Sequence, residues 1–343
     1  LRPLPLASRA AASLLRRAGI AVPQRRRSIV YAWFPDGRVV TASPVGGFHY
    51  QPCVRPDGSQ VVYHGGRAGV LRIWRHDFAS GETAPLTPAD TSAVHPAYSW
   101  DGARIAFASD RAWDAPRLTV ETLGEPAARP EVALDIFVMG ADGAAPQRVT
   151  SGRSADRRPC LSPDGASVAF VSDRGGRSDV WLAAVAGGER EPRCLDVAAQ
   201  GWNPRRPWFG GDGRWLYFYG RRGDDARHRI CRVPAAGGAA EALANDPGLQ
   251  SHGPFVDPDG RTLLVHAKRE GPFNIWEVPL DGGAARPLFP PGFPRALHPT
   301  RSRTGVVAFD VPSASPDWTA LLRGGRTAAA PGRGAWPEGG ALE

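Results

Sequence analysis

Short apolar runs recur along the chain at a nearly fixed spacing, with a turn ahead of each. Val61-Val62-Tyr63, Ile105-Ala106-Phe107, Val168-Ala169-Phe170, Leu216-Tyr217-Phe218 and Leu263-Leu264-Val265 each follow a Pro-Asp-Gly turn or a worn copy of it. The copies are Pro56-Asp57-Gly58, Trp100-Asp101-Gly102, Pro163-Asp164-Gly165, Gly211-Asp212-Gly213 and Pro258-Asp259-Gly260. Asp-Gly suits a tight hairpin, because glycine takes positive φ without a Cβ clash and aspartate tolerates it, so a two-residue hairpin is expected at each copy. Ahead of each turn lies a short segment read as opening on proline (Pro52, Pro96, Pro159, Pro207, Pro254), which a strand tolerates at its first residue.

Beyond each run comes a third segment, Ile73-Trp74, Ile136-Phe137, Val180-Trp181, Ile230-Cys231 and Ile275-Trp276. A glycine turn then leads to a more polar fourth strand ending near Leu86-Thr87, Val149-Thr150, Leu195, Leu243 and Leu288. Four short strands at a period of roughly 40–45 residues predict propeller blades, since so small a unit cannot bury its apolar face except against a neighbour. The blades fall at about 48–87, 95–150, 158–196, 203–243 and 252–288. A sixth is assembled from both ends: 298–310 supplies two strands and 28–43 the others, with Tyr31 in the third-strand aromatic place. Sharing a blade closes the ring and leaves no open sheet edge. The expectation is an all-β, six-bladed β-propeller over 28–311, closed by a blade shared between the N- and C-terminal segments.

The formal charge of +8 would point to nucleic acid, but seven arginines and no acidic residue in 1–27 carry nearly all of it. The propeller body is close to neutral and Lys268 is the only lysine, so no nucleic-acid partner is expected. Residues 1–27 read either as a targeting remnant or as a disordered extension, and 312–343 as a flexible tail rich in Gly, Ala and Pro. No stretch is long and apolar enough to span a bilayer, and a monomer is expected. Cys53 and Cys160 occupy the place of Ala97, Trp208 and Phe255 in other blades, and Cys231 a third-strand aromatic place, so they read as core. There is no C-x-x-C, which argues against a structural zinc.

Arg158-Pro159-Cys160-Leu161-Ser162-Pro163-Asp164-Gly165, continuing to Ser172-Asp173-Arg174-Gly175-Gly176 and Asp179-Val180-Trp181, resembles the WD40-like PD40 repeat of TolB-type propellers. The stretch from His95-Pro96 through Ser109-Asp110-Arg111 and Asp135-Ile136-Phe137 to Arg148-Val149-Thr150 does so too. The resemblance covers 28 to about 310 and implies a bacterial, periplasmic or otherwise extracytoplasmic propeller that binds protein partners of the Tol–Pal system. TolB carries an α/β domain ahead of its propeller, and 1–27 is too short for one, which puts the Tol–Pal role in doubt. Similar propellers precede the catalytic domain of prolyl-oligopeptidase-type peptidases, but no G-x-S-x-G elbow occurs here.

Residues beside the strand prolines converge on a propeller's axis: Gln51, His95, Arg158, Arg206, His252 (offset by one) and His298. One reading is a non-catalytic scaffold without cofactor that binds a protein or peptide through this channel face. The other is a metal-dependent enzyme, with a divalent ion on His95, His252, His298 and Gln51 and an arginine facing an acidic sugar or small anion. That set resembles oligogalacturonate lyases in residue type. Blade two carries an insertion, 112–134, with Trp113, Asp114, Glu121 and Glu125 and a candidate strand Leu118-Thr119-Val120, read as a lid or partner-docking loop. The repeated Ser-Asp-Arg at 109–111 and 172–174 reads as scaffold, as do Trp74, Trp181 and Trp276.

Overall fold

The computed structural model describes residues 28–312 apart from 45–46, 67–68, 114–117, 120–131, 187–190, 245–249, 270, 272 and 290–294. The expectations for 1–27 and 313–343, and for Asp114, Glu121, Glu125 and Val120, lie outside the described residues. Among those described, strands dominate and the one helical turn is Ala198–Gln200. Four antiparallel four-stranded sheets stand separately, and a fifth sheet has eight strands. In the larger sheet a single parallel bridge, Ser28 to Phe48, joins two antiparallel four-stranded sets, one of them built from both chain ends.

The end-sharing blade forms as anticipated. Ser28–Trp33 runs antiparallel to Val307–Pro312 from Ser28↔Pro312 to Trp33↔Val307. Tyr31 pairs with Phe309 in the register that joins Tyr63 to Trp74, Phe107 to Phe137, Phe170 to Trp181, Phe218 to Cys231 and Val265 to Trp276. One bulky cross-strand pair per blade thus fills the same place six times, and Tyr63, Phe107, Phe170, Phe218 and Phe309 are fully buried there. The inner strands are Phe48–Val54, Ala93–Tyr98, Arg157–Leu161, Trp202–Phe209, Gln250–Val256 and Leu297–Arg301, and each touches the next in a closed ring.

Two local expectations are corrected. The Pro-Asp-Gly hairpin has four loop residues, not two: the Gly58 amide bonds the Arg55 carbonyl, the Arg55 amide bonds Gln60, and only Gly58, at φ 79°, is left-handed. Proline at 56 cannot take the positive φ that a two-residue type I′ turn demands, so a turn centred on Pro56 and Asp57 precedes the glycine. Asp57 Oδ1 then accepts the Ser59 amide at 2.9 Å, as Asp164 accepts that of Ala166 at 3.0 Å. The inner-strand prolines, likewise, do not open their strands. They sit inside them at a register shift present in all six, between Tyr50 and Cys53 and at the equivalent places. A bulge already interrupts the ladder, so the missing proline N–H costs nothing there.

The Ser-Asp-Arg sequences are scaffold. Buried Asp110 accepts the Ser92 amide at 2.8 Å and the Leu118 amide at 3.1 Å. Asp173 accepts the Ala155 amide at 2.9 Å, while Arg174 bonds buried Asp156 at 2.6 Å. Cys53, Cys160 and Cys231 are buried and all four cysteines are free thiols.

Candidate functional site

The bulges repeat one strained conformation around the axis. The residue before each inner-strand proline is left-handed: Gln51 (φ 51°), His95 (58°), Arg158 (56°), Arg206 (49°), Gly253 (61°) and His298 (51°). For the five that carry a Cβ this costs about 1–2 kcal/mol each, and strain repeated at one place marks a constraint beyond local preference. Of the six residues read from the sequence as the channel ring, five occupy it. His252 sits one residue earlier, the offset its sequence implied, because Gly253 takes the left-handed position in blade five and His252 pairs with His266. The glycine has a local reason: a Cβ there would lie 3.0 Å from Arg206 Nη1.

Opposite each bulge, the second strand contributes one residue from a common register position: His64, Ala108, Val171, Tyr219, His266 and Asp310. Three of these cap the left-handed residue of the next blade. The His95 amide points to His64 Nδ1 at 3.4 Å, the His298 amide to His266 Nδ1 at 3.2 Å, and the Gln51 amide to Asp310 Oδ1 at 3.2 Å. Asp310 also accepts from Ser28 Oγ at 3.3 Å and faces His298 Nδ1 at 2.8 Å. His64, His266 and Asp310 escaped the sequence reading. Their signal was a polar residue ending an otherwise apolar second strand, where Ala108 and Val171 stand in blades two and three.

The imidazoles form a nearly continuous arc around the mouth. His95 and His64 lie 5.4 Å apart between ring centres, Tyr50 and His298 4.3 Å, His298 and His266 4.7 Å, His266 and His252 5.3 Å, and His252 and His228 4.6 Å. Burial, then the nearby Arg158, holds His64 down to about 3. Burial, then His228, does the same to His252. His95, His266 and His298 are pushed well below the ordinary imidazole range, in each case first by burial. Burial raises the Asp310 carboxyl well above its usual value, so it and His298 both tend to their neutral forms.

Beneath the mouth the channel is apolar, with Trp208 and Phe255 at 4.9 Å and Cys53 accepting the Tyr98 amide at 3.4 Å. Blade two's insertion does not reach the ring where it is described. Trp113 stands under the guanidinium of Arg148, an outer-strand residue 5.3 Å away. The expected strand there reduces to one bridge between Thr119 and Val70, with Leu118 buried.

His95, His252 and His298 do not bring three ligand atoms within 4.8 Å of one another, and among the described residues only Asp179, Cys194 and Asp196 do. In that trio Asp179 is already spent on the amides of Val180, Val197 and Ala198, and burial raises the Cys194 thiol to about 11. The three histidines thus do not converge on one point, and in the acidic trio Asp179 is engaged by backbone amides.

The model of the PD40 family, the TolB beta propeller domain, matches residues 127–294. A protein described as TolB from Agrobacterium tumefaciens superposes with a TM-score of 0.65 over 84% of this chain and 98% of its own, at 16% identity. The chain folds as a TolB-like β-propeller. In sequence, the TolB-like propeller is 31% identical over 156 residues to a TolB homolog of Chlorobium luteolum, covering 38% of this chain and 36% of that one. It therefore spans about a third of that relative's length. An oligogalacturonate lyase in complex with manganese superposes with a TM-score of 0.57 over 83% of each chain at 14% identity, a likeness of fold alone.

Proposed function

We propose that this TolB-like propeller is a binding scaffold that receives an acidic segment of a protein or peptide on the histidine-lined face of its channel. The observation that carries the reading is the surplus of positive charge there. Arg157, Arg158, Arg205, Arg206 and Arg295 all act on the mouth's histidines, while the one acid in the arc, Asp310, is buried and engaged. Such a field steers and orients an acidic partner. Arg205 and Arg295 are exposed and serve as the outer contacts. The test is fluorescence anisotropy with labelled acidic, neutral and basic decapeptides. Acidic peptides should bind, and the double variant R205E/R295E should weaken them at least tenfold while the fold persists. Equal binding of all three classes, or none, would remove the reading.

The alternative, a metal-dependent lyase acting on an acidic sugar, has less support. Its histidine ligands do not converge, and the cavity beside the arginines is too small for a sugar ring. We also propose a place in the bacterial cell envelope, on the strength of the likeness to TolB. No helix among the described residues is long and apolar enough to cross a membrane. Fractionation of the native host should find the protein outside the cytoplasm, and recovery with cytoplasmic markers would sink the assignment.

A further inference from the structure

The channel mouth is asymmetric in a way its six-fold repeat does not require. In blades six, one and two the left-handed residue meets a polar group of the preceding blade: His266, Asp310 or His64. In blades three and four the corresponding groups are Ala108 and Val171, which offer nothing, and there the left-handed residues are Arg158 and Arg206. Among the described residues no carboxylate lies within ion-pair reach of either guanidinium, and Nη1 of each is buried without a hydrogen bond. Gln51 Nε2 and His95 Nδ1 are likewise buried and unbonded. Arg206 is only 7% exposed and Gln51 4%.

These four side chains line one cavity of about 20 Å³ beside Trp208. That is room for one atom or small group, too little for a phosphate or sugar. Arg206 is buried and Arg158 half-buried, each with an Nη1 that has lost its water without gaining a hydrogen bond, and two such neighbouring cations repel, an arrangement that persists only if something neutralises it. Burial, then the charge of Arg158, draws Arg206 down to about 10, yet leaves it charged at neutral pH. Asp310, held neutral by burial, is committed to Ser28, Gln51 and His298 and does not neutralise Arg206.

We infer that Arg158, Arg206, Gln51 and His95 form a buried site for one small monovalent anionic group, either a halide or a carboxylate. Gln51 Nε2 and both arginines donate, and His95 completes the shell as its Nδ1–H tautomer. Glycine at 253 is part of the construction, since it leaves space for the Arg206 guanidinium. The inference rests on the acidic-segment reading only if the carboxylate belongs to a partner chain. A free ion would fill the site without one.

The test combines crystals grown in sodium bromide with thermal melting at constant total salt, exchanging methanesulfonate for bromide or formate. An anomalous bromide peak between the two guanidiniums is expected. So is a saturable rise in Tm of several degrees with bromide and formate, lost in R158Q and R206Q. A bromide peak with a silent decapeptide panel would uphold this site and remove the peptide reading. No peak and no saturable rise, with acidic peptides whose binding R158Q abolishes, would assign the group to the partner's carboxylate. No peak, no rise and no effect of R158Q on peptides would overturn the inference. Should the glutamine variants fail to fold, the bromide position in the native protein still decides.

Discussion

Asp310 carries the most exposed wager in this structure, because one buried carboxyl ties both chain ends to blade one. It accepts from Gln51 N at 3.2 Å and Ser28 Oγ at 3.3 Å, and it faces His298 Nδ1 at 2.8 Å, with no exposure of its own. Asp310→Ala removes three hydrogen bonds and strands the Gln51 amide and His298 Nδ1 out of water, while Ser28 Oγ keeps the Val311 carbonyl at 3.3 Å, at about 1 kcal/mol per bond plus the desolvation of the two groups left unpaired, or roughly 3–5 kcal/mol in all. For a propeller of this size, unfolding entropy near 2 cal/mol/K per residue converts that to a fall in Tm of roughly 5–8 °C. Asp310→Asn should behave differently. Burial holds the carboxyl neutral, and an amide can keep its carbonyl toward Gln51 and His298 while its NH2 donates to Ser28 Oγ. The asparagine variant should lie within about 1 kcal/mol of the parent in urea denaturation. If asparagine costs as much as alanine, the carboxyl is ionised in the folded state and our reading of the neutral pair is wrong.

Acid should destabilise the protein below about pH 6.5, because the unfolded chain protonates five histidines (64, 95, 252, 266 and 298) that burial keeps neutral when folded. Asp310, and Asp135 and Asp257 at about 6, act in the opposite sense, being protonated when folded and ionised when unfolded above pH ~4. With His76 and His228 also lowered by burial, the balance is an uptake of at least about two protons on unfolding, or roughly 2–3 kcal/mol or more per pH unit between pH 6 and 5, measurable as the pH dependence of urea midpoints; a flat profile would contradict it. Gly253→Ala should cost more than Gly81→Ala, since both are left-handed (61° and 73°) but only the former's Cβ would meet a neighbour, Arg206 Nη1 at 3.0 Å. Equal melting of the two variants would show that Arg206 moves freely. Arg174→Ala should cost about 3 kcal/mol by leaving buried Asp156 without its partner at 2.6 Å, and a loss under 1 kcal/mol would reopen a functional role for the Ser-Asp-Arg sequences.

The blades were legible because their information is local. An apolar run of three residues, an Asp-Gly turn and an aromatic at a fixed offset each report on a hairpin that forms within forty residues, so even the divided blade showed itself in Tyr31. The same locality made five of the six ring residues readable, since each precedes a proline in its own strand. What escaped depends on contacts between blades. His64, His266 and Asp310 gain their meaning from the amide of the following blade. The sequence by itself therefore determined that the chain builds four-stranded units, and which residues stand beside the inner-strand prolines. Only the ring's closure decided which of those residues are partnered. His95, His298 and Gln51 received amide caps from across a blade boundary, and Arg158 and Arg206 did not, because Ala108 and Val171 have no polar atom to give.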